Sequence, residues 1–514
     1  MASRSEHGDV ATRPGVRRFA PAILIALSWC VLLAAWAVSN PPFAAPDEAA
    51  HFIRAIGVSE GHLIGRPAPA ARIGVDPRQL AWTRQAARLV SLPAGLDPRP
   101  FECATGSGSA SAACLDRVEP VSAPATLVTA IGNYPPLPYL LPAAVMRAAA
   151  TPPGALRLGR AAGAVLVLAL LLLALAALYD PNAGLGSVVG LLLAVTPMAV
   201  FCGASLNGSG LEIAAAIALF GCAIRFTRSS NPGPWLVLAG VTGACLELSR
   251  PASPLWALIA VGVAAVLGRD RLRARIRASS RAAMLALSGI LVAFALSRVW
   301  EARYGSSVPV DTSQLHAGLV AGFHEWWRAI PELVGKFGYV DVKLPVVIPV
   351  AWIALVGLLV ASAIRLDRAN RVLLGVLAVG SASLPILFYA LLIRPTGFGL
   401  QGRQLLPAMV LLPMCAGEVV YRSRALRPRA SSFVYVTVAC VATGQFAAWY
   451  VNSKRFAVGD SGPLWFLGHA AWSPPLGWGV WFAATLLAAM SLAAAGLLDE
   501  RAERRSARLR RSAA

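Results

Sequence analysis

The stretch "PAILIALSWCVLLAAWAVSNPPFAAPDEAAHFIRA", residues 21–55, decides the fold. Its first part, residues 21–38, is apolar over a length that can cross a lipid bilayer as a helix. Asp47, Glu48, His51 and Arg54 follow at the point where the chain leaves that apolar run. This order predicts a membrane-spanning helix that leads directly into a polar site at the bilayer surface.

Composition extends this interpretation to the whole chain. Of its 514 residues, 57% are hydrophobic and only 14% are charged. Repeated apolar runs broken by short polar connectors predict an all-α polytopic membrane protein with about twelve transmembrane helices and a large first extracytoplasmic loop. We interpret the first run as a retained span, because no small-residue cleavage site follows it. The predicted spans are residues 20–39, 159–179, 184–203, 209–227, 234–249, 254–268, 282–300, 346–364, 372–393, 404–421, 432–451 and 476–498.

The basic residues are placed like topology signals. The formal net charge is +21, from 46 Lys and Arg against 25 Asp and Glu. The arginines cluster beside predicted span ends, where the cytoplasmic side of a membrane protein holds them. This placement favours topology over nucleic-acid binding, so we expect no nucleic-acid partner. It predicts a multi-pass protein of the cell (plasma) membrane with both termini cytoplasmic. The clusters are residues 269–281, 365–371, 421–429 and 501–511.

One apolar segment, "YPPLPYLLPAAVMRAAA" (134–150), determines the number of crossings. The alternation between basic connectors works only if this segment stays on the outer side. Its prolines agree, because they remove backbone donors and disfavour a regular spanning helix. We expect an interfacial or re-entrant segment. The chain then divides into a cytoplasmic N-terminus, a first transmembrane helix, an extracytoplasmic loop with the acidic motif and juxtamembrane segment, a helix bundle and a basic cytoplasmic tail, at residues 1–19, 20–39, 40–158, 159–498 and 499–514.

Two cysteines lie apart from the others. Six of the eight are in apolar runs and are expected to be small buried residues, whereas Cys103 and Cys114 share the polar outer loop. If that loop is outside the cell, these two can form a disulfide that closes a short ring. A pair of free thiols is the alternative.

The acidic motif predicts a helix that begins at Pro46, a favoured first-turn residue. Asp47, His51 and Arg54 then share one helix face, and Glu48 lies beside it. The N–H groups at the helix start keep the carboxylates ionised. A paired carboxylate there can take a proton from a hydroxyl nucleophile, and with His51 it can hold a divalent metal. The alternative is a capped surface helix with ordinary ion pairs.

Other polar residues are predicted to lie on the same outer side. Arginines held outside run against the positive-inside bias and suit an anionic group such as a phosphate. Each residue also has a simpler explanation. Asn207 can cap the next helix, Arg250 can pair with Glu247, and the remaining arginines can reach lipid headgroups. The candidate substrate-binding residues are His51, Arg54, Tyr134, Asn207, Arg250, Arg394, Gln401 and Arg403.

The outer segment 322–345 predicts an amphipathic helix at the membrane interface, anchored by Trp326 and Trp327. Its polar residues could still face a cavity. They are His324, Lys336, Asp341 and Lys343.

Four short motifs carry a resemblance that covers most of the chain, from about residue 20 to about 450. In order they are "PDEAAHFIRA" (46–55), "GNYPPLPYLLPA" (132–143), "SLNGSG" (205–210) and "GLQGRQLLP" (399–407). The ordered set resembles a bacterial family of predicted membrane proteins, the domain of unknown function 2142 family. That family resembles in turn the GT-C superfamily of membrane glycosyltransferases.

The resemblance implies a GT-C-like fold, a polyprenyl-phosphate sugar as donor and transfer on the outer face of the membrane. It also implies a base or metal ligand in the first outer loop, where only Asp47 and Glu48 match. Two positions depart from the pattern. Gln404 stands where many relatives have an aromatic residue, and Asn207 stands where many GT-C members carry an acid. The second departure argues against a metal-dependent mechanism, so the cofactor stays open between none and a divalent cation.

Together these observations predict a glycosyltransferase that transfers a sugar to a glycan or lipid acceptor of the cell envelope. The transfer inverts the configuration at the anomeric carbon. Asp47 accepts the proton of the acceptor hydroxyl, and Glu48 or His51 orients that hydroxyl. The leaving lipid phosphate is held by Arg403 with Arg394 or Arg250. Membrane lipids are further expected partners. Two alternatives stay open: a transporter or flippase for a lipid-linked saccharide, and a non-catalytic envelope-assembly subunit.

Overall fold

The computed structural model describes residues 16–105, 109–423 and 430–512, and parts of the predicted basic signals, at residues 1–15 and 424–429, lie outside them. The described chain is mainly helical, as expected of an all-α polytopic membrane protein. The helices are α1 (Ala20–Ser39), α2 (Glu48–Ser59), α3 (Leu80–Ala86), α4 (Leu137–Met146), α5 (Pro152–Leu178), α6 (Val189–Ala194), α7 (Pro197–Gly203), α8 (Gly208–Arg228), α9 (Gly233–Glu247), α10 (Ser253–Leu267), α11 (Arg269–Ala278), α12 (Ser280–Tyr304), α13 (Leu315–Ala329), α14 (Val347–Leu366), α15 (Arg371–Phe388), α16 (Gly402–Met409), α17 (Leu411–Ser423), α18 (Ala430–Val458) and α19 (Gly477–Ser512). The strands are β1 (Arg66–Pro67), β2 (Arg88–Leu92), β3 (Ala125–Thr129), β4 (Lys336–Phe337) and β5 (Val342–Lys343).

Nine helical segments among the described residues are long and apolar enough to cross a membrane. Each overlaps one of the twelve predicted spans. Two further predicted spans coincide with α9 and α10, which have 15 residues each. The nine segments are Ala20–Ser39, Pro152–Leu178, Gly208–Arg228, Ser280–Tyr304, Val347–Leu366, Arg368–Thr396, Gly402–Ser423, Ser432–Val458 and Gly477–Arg501.

The remaining predicted span, residues 184–203, is not one continuous helix. Its prediction was wrong in this respect, because the chain breaks between α6 and α7. Pro197 lacks the backbone N–H that a continuous helix needs, and Thr196 caps the new helix that starts there. The break frees the Val195 carbonyl, to which Gln445 Nε2 of α18 donates at 2.9 Å. The interruption is thereby compensated inside the bundle.

The helix ends gather on two faces, which we call the basic face and the loop face. On the basic face, Arg18 Nη1 donates to Asn182 Oδ1 at 2.9 Å. On the loop face, Asn133 Nδ2 donates to the carbonyl of Tyr304 at 2.9 Å. The basic face carries the connectors 179–187, 229–232, 268–279 and 367–370. The loop face carries the segments 40–151, 305–346, 397–401 and 459–476.

The proline-rich segment after the first loop forms α4, which has ten residues. A helix of ten residues is about 15 Å long, half of the hydrocarbon thickness of a bilayer. It packs between α2 and α5. Residues 134–150 thus contain a helix too short to cross a bilayer, and their position on one side of the membrane stays a prediction.

The first loop forms a small ordered unit with a core of its own. Strands β1, β2 and β3 make an antiparallel sheet, in which Val90 pairs with Leu127. The helix α2 lies on this sheet, and Phe52 belongs to the same buried cluster. Cys103 and Cys114 are joined by a disulfide. The closed loop is tied to the bundle, because Asp460 N–H donates to the carbonyl of Ser109 at 2.9 Å and Arg455 donates to the carbonyl of Ala110.

The predicted interfacial helix corresponds only to α13. Val320, Phe323 and Trp327 are exposed along one side of it, an arrangement typical of a helix at the membrane surface. The remaining part, residues 330–345, is not helical as predicted. After a short 3₁₀ turn, it folds into the hairpin of β4 and β5.

Candidate functional site

Asp47 occupies an unusual backbone position at the end of the segment that follows α1. It stands directly before α2 with φ 61°, in the left-handed region, and its carboxylate does not cap the helix. The prediction that the helix begins at Pro46 is therefore wrong by two residues. A left-handed non-glycine residue is uncommon, although Asp adopts this conformation more readily than most, and such residues recur at functional sites. Nearly half of the Asp47 side chain, 49%, is exposed, so the carboxylate faces an open space.

Arg403 is the direct partner of Asp47. Its Nη2 lies 2.7 Å from Asp47 Oδ2, and its side chain is only 8% exposed. Arg403 is the second residue of α16, and the turn before it is fixed from behind. The Gly402 N–H donates to Glu332 Oε2 at 3.1 Å. A Cβ on Gly402 would lie 2.5 Å from the Glu332 carbonyl carbon, so only glycine permits this close approach.

Arg250 supplies a second cation on the same side. It lies in the connector between α9 and α10, where Nη1 donates to Ser209 Oγ at 2.9 Å and lies 3.7 Å from Glu212 Oε2. Its guanidinium stacks over the ring of Tyr134, 5.5 Å from the centroid. The predicted pairing of Arg250 with Glu247 is replaced by these contacts. Glu247 instead is close to Arg298.

His51 lies one helical turn after Asp47 in the interior of the site. Its Nδ1 is 2.7 Å from the hydroxyl of Tyr139, and its ring makes an edge contact with Tyr134. Burial lowers the pKa of His51 to about 3, and the nearby Arg403 contributes to the same shift. The imidazole is therefore neutral at physiological pH and acts as a hydrogen-bonding group rather than a cation.

The charges keep Asp47 ionised. Burial by itself raises the pKa of the Asp47 carboxyl, but the attraction of Arg403 and its hydrogen bond, with a smaller contribution from Arg250, outweigh it. The net pKa of Asp47 is below its ordinary value. One exposed carboxylate and two arginines thus lie near one another, a few residues after the end of the first membrane helix.

The sequence matches one family of known proteins. A family model described as "Predicted membrane protein (DUF2142)" matches residues 30–412. The chain belongs to the DUF2142 family. No curated protein and no solved structure matches it. The DUF2142 region contains Asp47, His51, Arg250 and Arg403, so the whole cluster lies in the part that the family shares.

Glu48 does not face the cluster of Asp47, Arg250 and Arg403, although the sequence analysis predicted it as a second catalytic candidate beside Asp47. Its side chain is fully buried and holds Arg160, with Oε1 2.8 Å from Nε and Oε2 2.5 Å from Nη2. Oε1 also accepts from the N–H of Leu206 at 3.0 Å. Arg160 donates further to the carbonyls of Ala37, Asn40 and Pro41. Glu48 therefore stabilises the fold around the motif, and we drop it from the catalytic candidates.

Several other predicted residues also have structural contacts. Arg54 is buried and donates to the carbonyls of Leu63 and Tyr134 at 2.5 and 2.9 Å. Asn207 caps α8, as its alternative explanation held, by accepting from the N–H of Gly210 at 3.0 Å. Both residues hold the surroundings of the site in place rather than face its open space.

In the segment "QGRQ" (401–404), Arg403 contacts Asp47, whereas the two glutamines make contacts at the start of α16. Gln401 precedes α16, and Gln404 Oε1 accepts from its N–H at 3.2 Å. Gln404, the departure from the family pattern, thus caps the helix that presents Arg403. Arg394 is not brought to the cluster, because it donates to Gln314 at 3.2 and 3.3 Å before α13.

Three residues near the site were missed by the sequence analysis. Tyr139 holds His51, Arg160 holds Glu48, and Tyr339 at the tip of the β4–β5 hairpin lies beside Asp47. Arg160 carried no signal of its own, because the burial of Glu48, which needs a counter-ion, is known only from the structure. Tyr339 carried no signal, since its segment was predicted to be helical.

The described residues contain no cluster of three His, Cys, Asp or Glu side chains that could hold a metal ion. Asp47 and His51 alone supply two such groups. Arg250 and Arg403 lie near both groups. Their positive charges favour an anion over a metal cation.

Proposed function

We propose that the protein is an integral membrane glycosyltransferase that moves a sugar from a polyprenyl-phosphate donor to a cell-envelope acceptor on the outer face of the plasma membrane. One observation carries the proposal: the exposed, ionised Asp47 faces an open space beside two largely buried arginines, Arg403 and Arg250. A carboxylate suits proton removal, and paired guanidinium groups suit a phosphate.

The reaction follows from these roles. Asp47 accepts the proton of an acceptor hydroxyl, and the oxygen attacks the anomeric carbon of the donor sugar with inversion. The bond between that carbon and the phosphate oxygen breaks, and its electron pair leaves with the polyprenyl phosphate. Arg403 and Arg250 stabilise the charge that develops on the leaving phosphate. The neutral His51 orients the hydroxyl by hydrogen bonding.

The Asp47–Arg403 pair makes the base responsive to the donor. In the free protein Arg403 lowers the pKa of Asp47 and so weakens it as a base. A phosphate that binds Arg403 shares its charge, and the pKa of Asp47 then rises towards its ordinary value. The carboxylate becomes a better proton acceptor only when the donor is in place.

The location suits an amphiphilic donor. The prenyl tail of such a lipid stays in the bilayer, so its phosphate is available at the membrane surface. Asp47 follows the end of α1 by a few residues, and α4 packs against α2, the helix that Asp47 precedes. Catalytic groups at this depth meet the phosphate without drawing the tail out of the membrane.

The transporter alternative predicts a polar track through the spans. Three buried acids of the described helices lie near helix ends. Glu212 accepts from Ser253 at 2.8 Å and lies near Arg250, and Glu418 pairs with two arginines on the basic face. Glu247 ends α9 on the loop face. These acids do not form a track across the bilayer, so the enzyme is the better-supported proposal.

The test is a single amide substitution in a strain that lacks the gene. Asp47→Asn keeps the shape of the side chain but removes the base, so we expect loss of a surface glycan at an unchanged protein level. Asp76→Asn is the matched control, because Asp76 is also a half-exposed acid of the first loop paired with an arginine, at 3.0 Å from Arg78. Wild-type glycan in the Asp47→Asn strain would contradict the base assignment.

A further inference from the structure

The tip of the β4–β5 hairpin has a strained backbone. Between the two strands, Gly338 has φ 59° and Val340 has φ 66°. A positive φ at a β-branched residue such as valine is a true outlier. A Cβ on Gly338 would lie 2.2 Å from Asp341 Oδ1, so the turn depends on glycine at that position. Strain of this kind persists only where the surroundings enforce it.

The surroundings hold the hairpin tip from two sides. The Gly338 N–H donates to Asn452 Oδ1 at 3.1 Å, and Asn452 Nδ2 donates to Asn40 Oδ1 at 3.1 Å. Arg455 Nη2 lies 3.0 Å from Asp341 Oδ2. Asn452 and Arg455 both belong to α18, so one long helix fixes both ends of the four-residue turn.

The base of the hairpin is packed into the bundle. The centroid of the Phe337 ring lies 5.0 Å from the ring centroid of Trp36 in α1 and 5.4 Å from that of Phe201 in α7. The segment just before the hairpin contains Glu332, which binds the turn that carries Arg403. The hairpin is therefore positioned relative to both partners of the Asp47–Arg403 pair.

This support presents one exposed aromatic ring. Gly338 is buried, while Tyr339 is 44% exposed. The Tyr339 hydroxyl lies close to the backbone N–H of Asp47, and the charges of Asp47 and Arg403 both act on it. Asp47 and Tyr339 are therefore neighbours, and each is about half exposed.

We propose that Tyr339 is the platform on which the sugar ring of the donor stacks. The sugar is joined to the phosphate by a single bond, so a phosphate on Arg403 places the ring within a few ångströms of Asp47 and Tyr339. The C–H groups on one side of a pyranose form an apolar face that packs on an aromatic ring, while its hydroxyls reach polar groups at the rim. The proposal rests on the proposed donor and adds a specificity-determining residue.

The strained turn has a role in this arrangement. A ring that is fixed before the ligand arrives loses little conformational entropy on binding. The contacts of α18 enforce the strained turn at Val340 and thereby hold the backbone of Tyr339 in one position. An exposed tyrosine on a flexible loop would have to be ordered by each substrate.

The experiment separates the sugar from the phosphate. The full-length protein in lipid nanodiscs is titrated with a short-chain polyprenyl phosphate and with the mannosyl, glucosyl and galactosyl derivatives of the same lipid. We expect at least one glycosylated lipid to bind more tightly than the bare lipid. Tyr339→Leu should reduce that preference by about tenfold and leave the affinity for the bare lipid unchanged. Tyr339→Phe keeps the ring and should retain the preference.

Arg403→Gln is the companion variant, expected to weaken both classes of lipid alike. If Arg403→Gln weakens both while Tyr339→Leu changes neither, the stacking proposal is overturned and the phosphate site stands. Equal losses for bare and glycosylated lipids in Tyr339→Leu also overturn it, because the ring would then only shape the space. If the wild type binds no lipid of the set, the proposed donor falls and the stacking proposal with it. Tyr339→Asn, which suits a turn, repeats the test if Tyr339→Leu does not fold.

Discussion

Asp47 and Glu48 are adjacent in the chain but differ in what each carboxylate faces. Glu48 is fully buried against Arg160, and removal of one partner from such a pair costs about 3–5 kcal/mol because the other charge stays buried. We therefore expect Glu48→Gln to lower the melting temperature of the detergent-purified protein strongly. Asp47→Asn, at a half-exposed position, should change it little. Equal melting temperatures for the two variants would contradict the division between a structural and a functional acid.

His51 gives the fold a pH dependence of known sign. Its pKa is about 3 in the folded protein and 6.5 when free of the fold, so the unfolded chain binds a proton more readily. The neutral imidazole contributes stability above about pH 6.5, and this contribution is lost as the pH falls from 6.5 towards 3. We expect the melting temperature of the wild type to fall across this window.

The matched variant is His51→Asn, whose side chain does not titrate. Its melting temperature should depend less on pH between 6.5 and 4, where Asp47 is still ionised. Parallel curves for the variant and the wild type would show that other groups cause the loss.

Among single residues, the sequence could identify as site candidates those side chains whose position runs against a general tendency of membrane proteins. Arg403 stood out because a cation on the outer side opposes the positive-inside bias. Arg160 did not, since an arginine beside an apolar run is common and its partner lies 112 residues away. Adjacent acids likewise could not be separated into one buried and one exposed residue until the left-handed turn at Asp47 was known.

Among the elements, the broken pair α6 and α7 depends on a side chain of another helix. Gln445 is buried and donates to the freed carbonyl of Val195. Gln445→Leu leaves that carbonyl unpaired, at a cost of about 1–3 kcal/mol. We expect a lower melting temperature for this variant.

Thr437→Val is the control on the same helix. Thr437 is fully buried and its hydroxyl has no hydrogen-bond partner in the structure. Replacement by an apolar side chain of the same shape should be neutral or stabilising. A loss as large as that of Gln445→Leu would attribute both effects to packing in α18 rather than to the helix break.

Element type was predictable wherever one signal dominated. Apolar length alone gave α1 its bounds, residues 20–39, and the prolines of the segment 134–150 indicated that it forms no long regular helix, as the ten residues of α4 show. The break in 184–203 was harder to predict because the composition stays apolar through it, and only Pro197 marks the site. The hairpin of β4 and β5 was missed for the opposite reason. Its pairing is two residues long on each strand, too short for an alternating pattern to be visible.

For the whole molecule, the orientation in the membrane is open to a direct test. His62 is exposed on the loop face and Arg271 is exposed on the basic face. In the proposed orientation, a maleimide that cannot cross membranes labels His62→Cys in intact cells, whereas Arg271→Cys reacts only after permeabilisation. The wild type gives the background of the native thiols. The reverse pattern would place the Asp47 cluster inside the cell and exclude transfer on the outer face.

The arginines predict an order of crossings, because the charge bias acts on each connector separately. Lateral packing could not, since it depends on shape complementarity between distant helices. The clearest case is α1, which lies along α19 at the other end of the chain. Ser28 Oγ donates to the carbonyl of Ala488 at 2.9 Å, across 460 residues. The same limit hid the contact between Asp47 and Arg403.

The contacts between Arg160 and Glu48 also determine the order in which parts of the protein can assemble during synthesis. Glu48 leaves the ribosome 112 residues ahead of its counter-ion, and Asp47 leaves it 356 residues ahead of Arg403. During synthesis, the carboxylates of Asp47 and Glu48 therefore stay hydrated and without their arginine partners until the later helices have been inserted. A premature stop codon after position 55 and before position 403 yields a fragment that contains the acidic motif but lacks Arg403, the partner of Asp47.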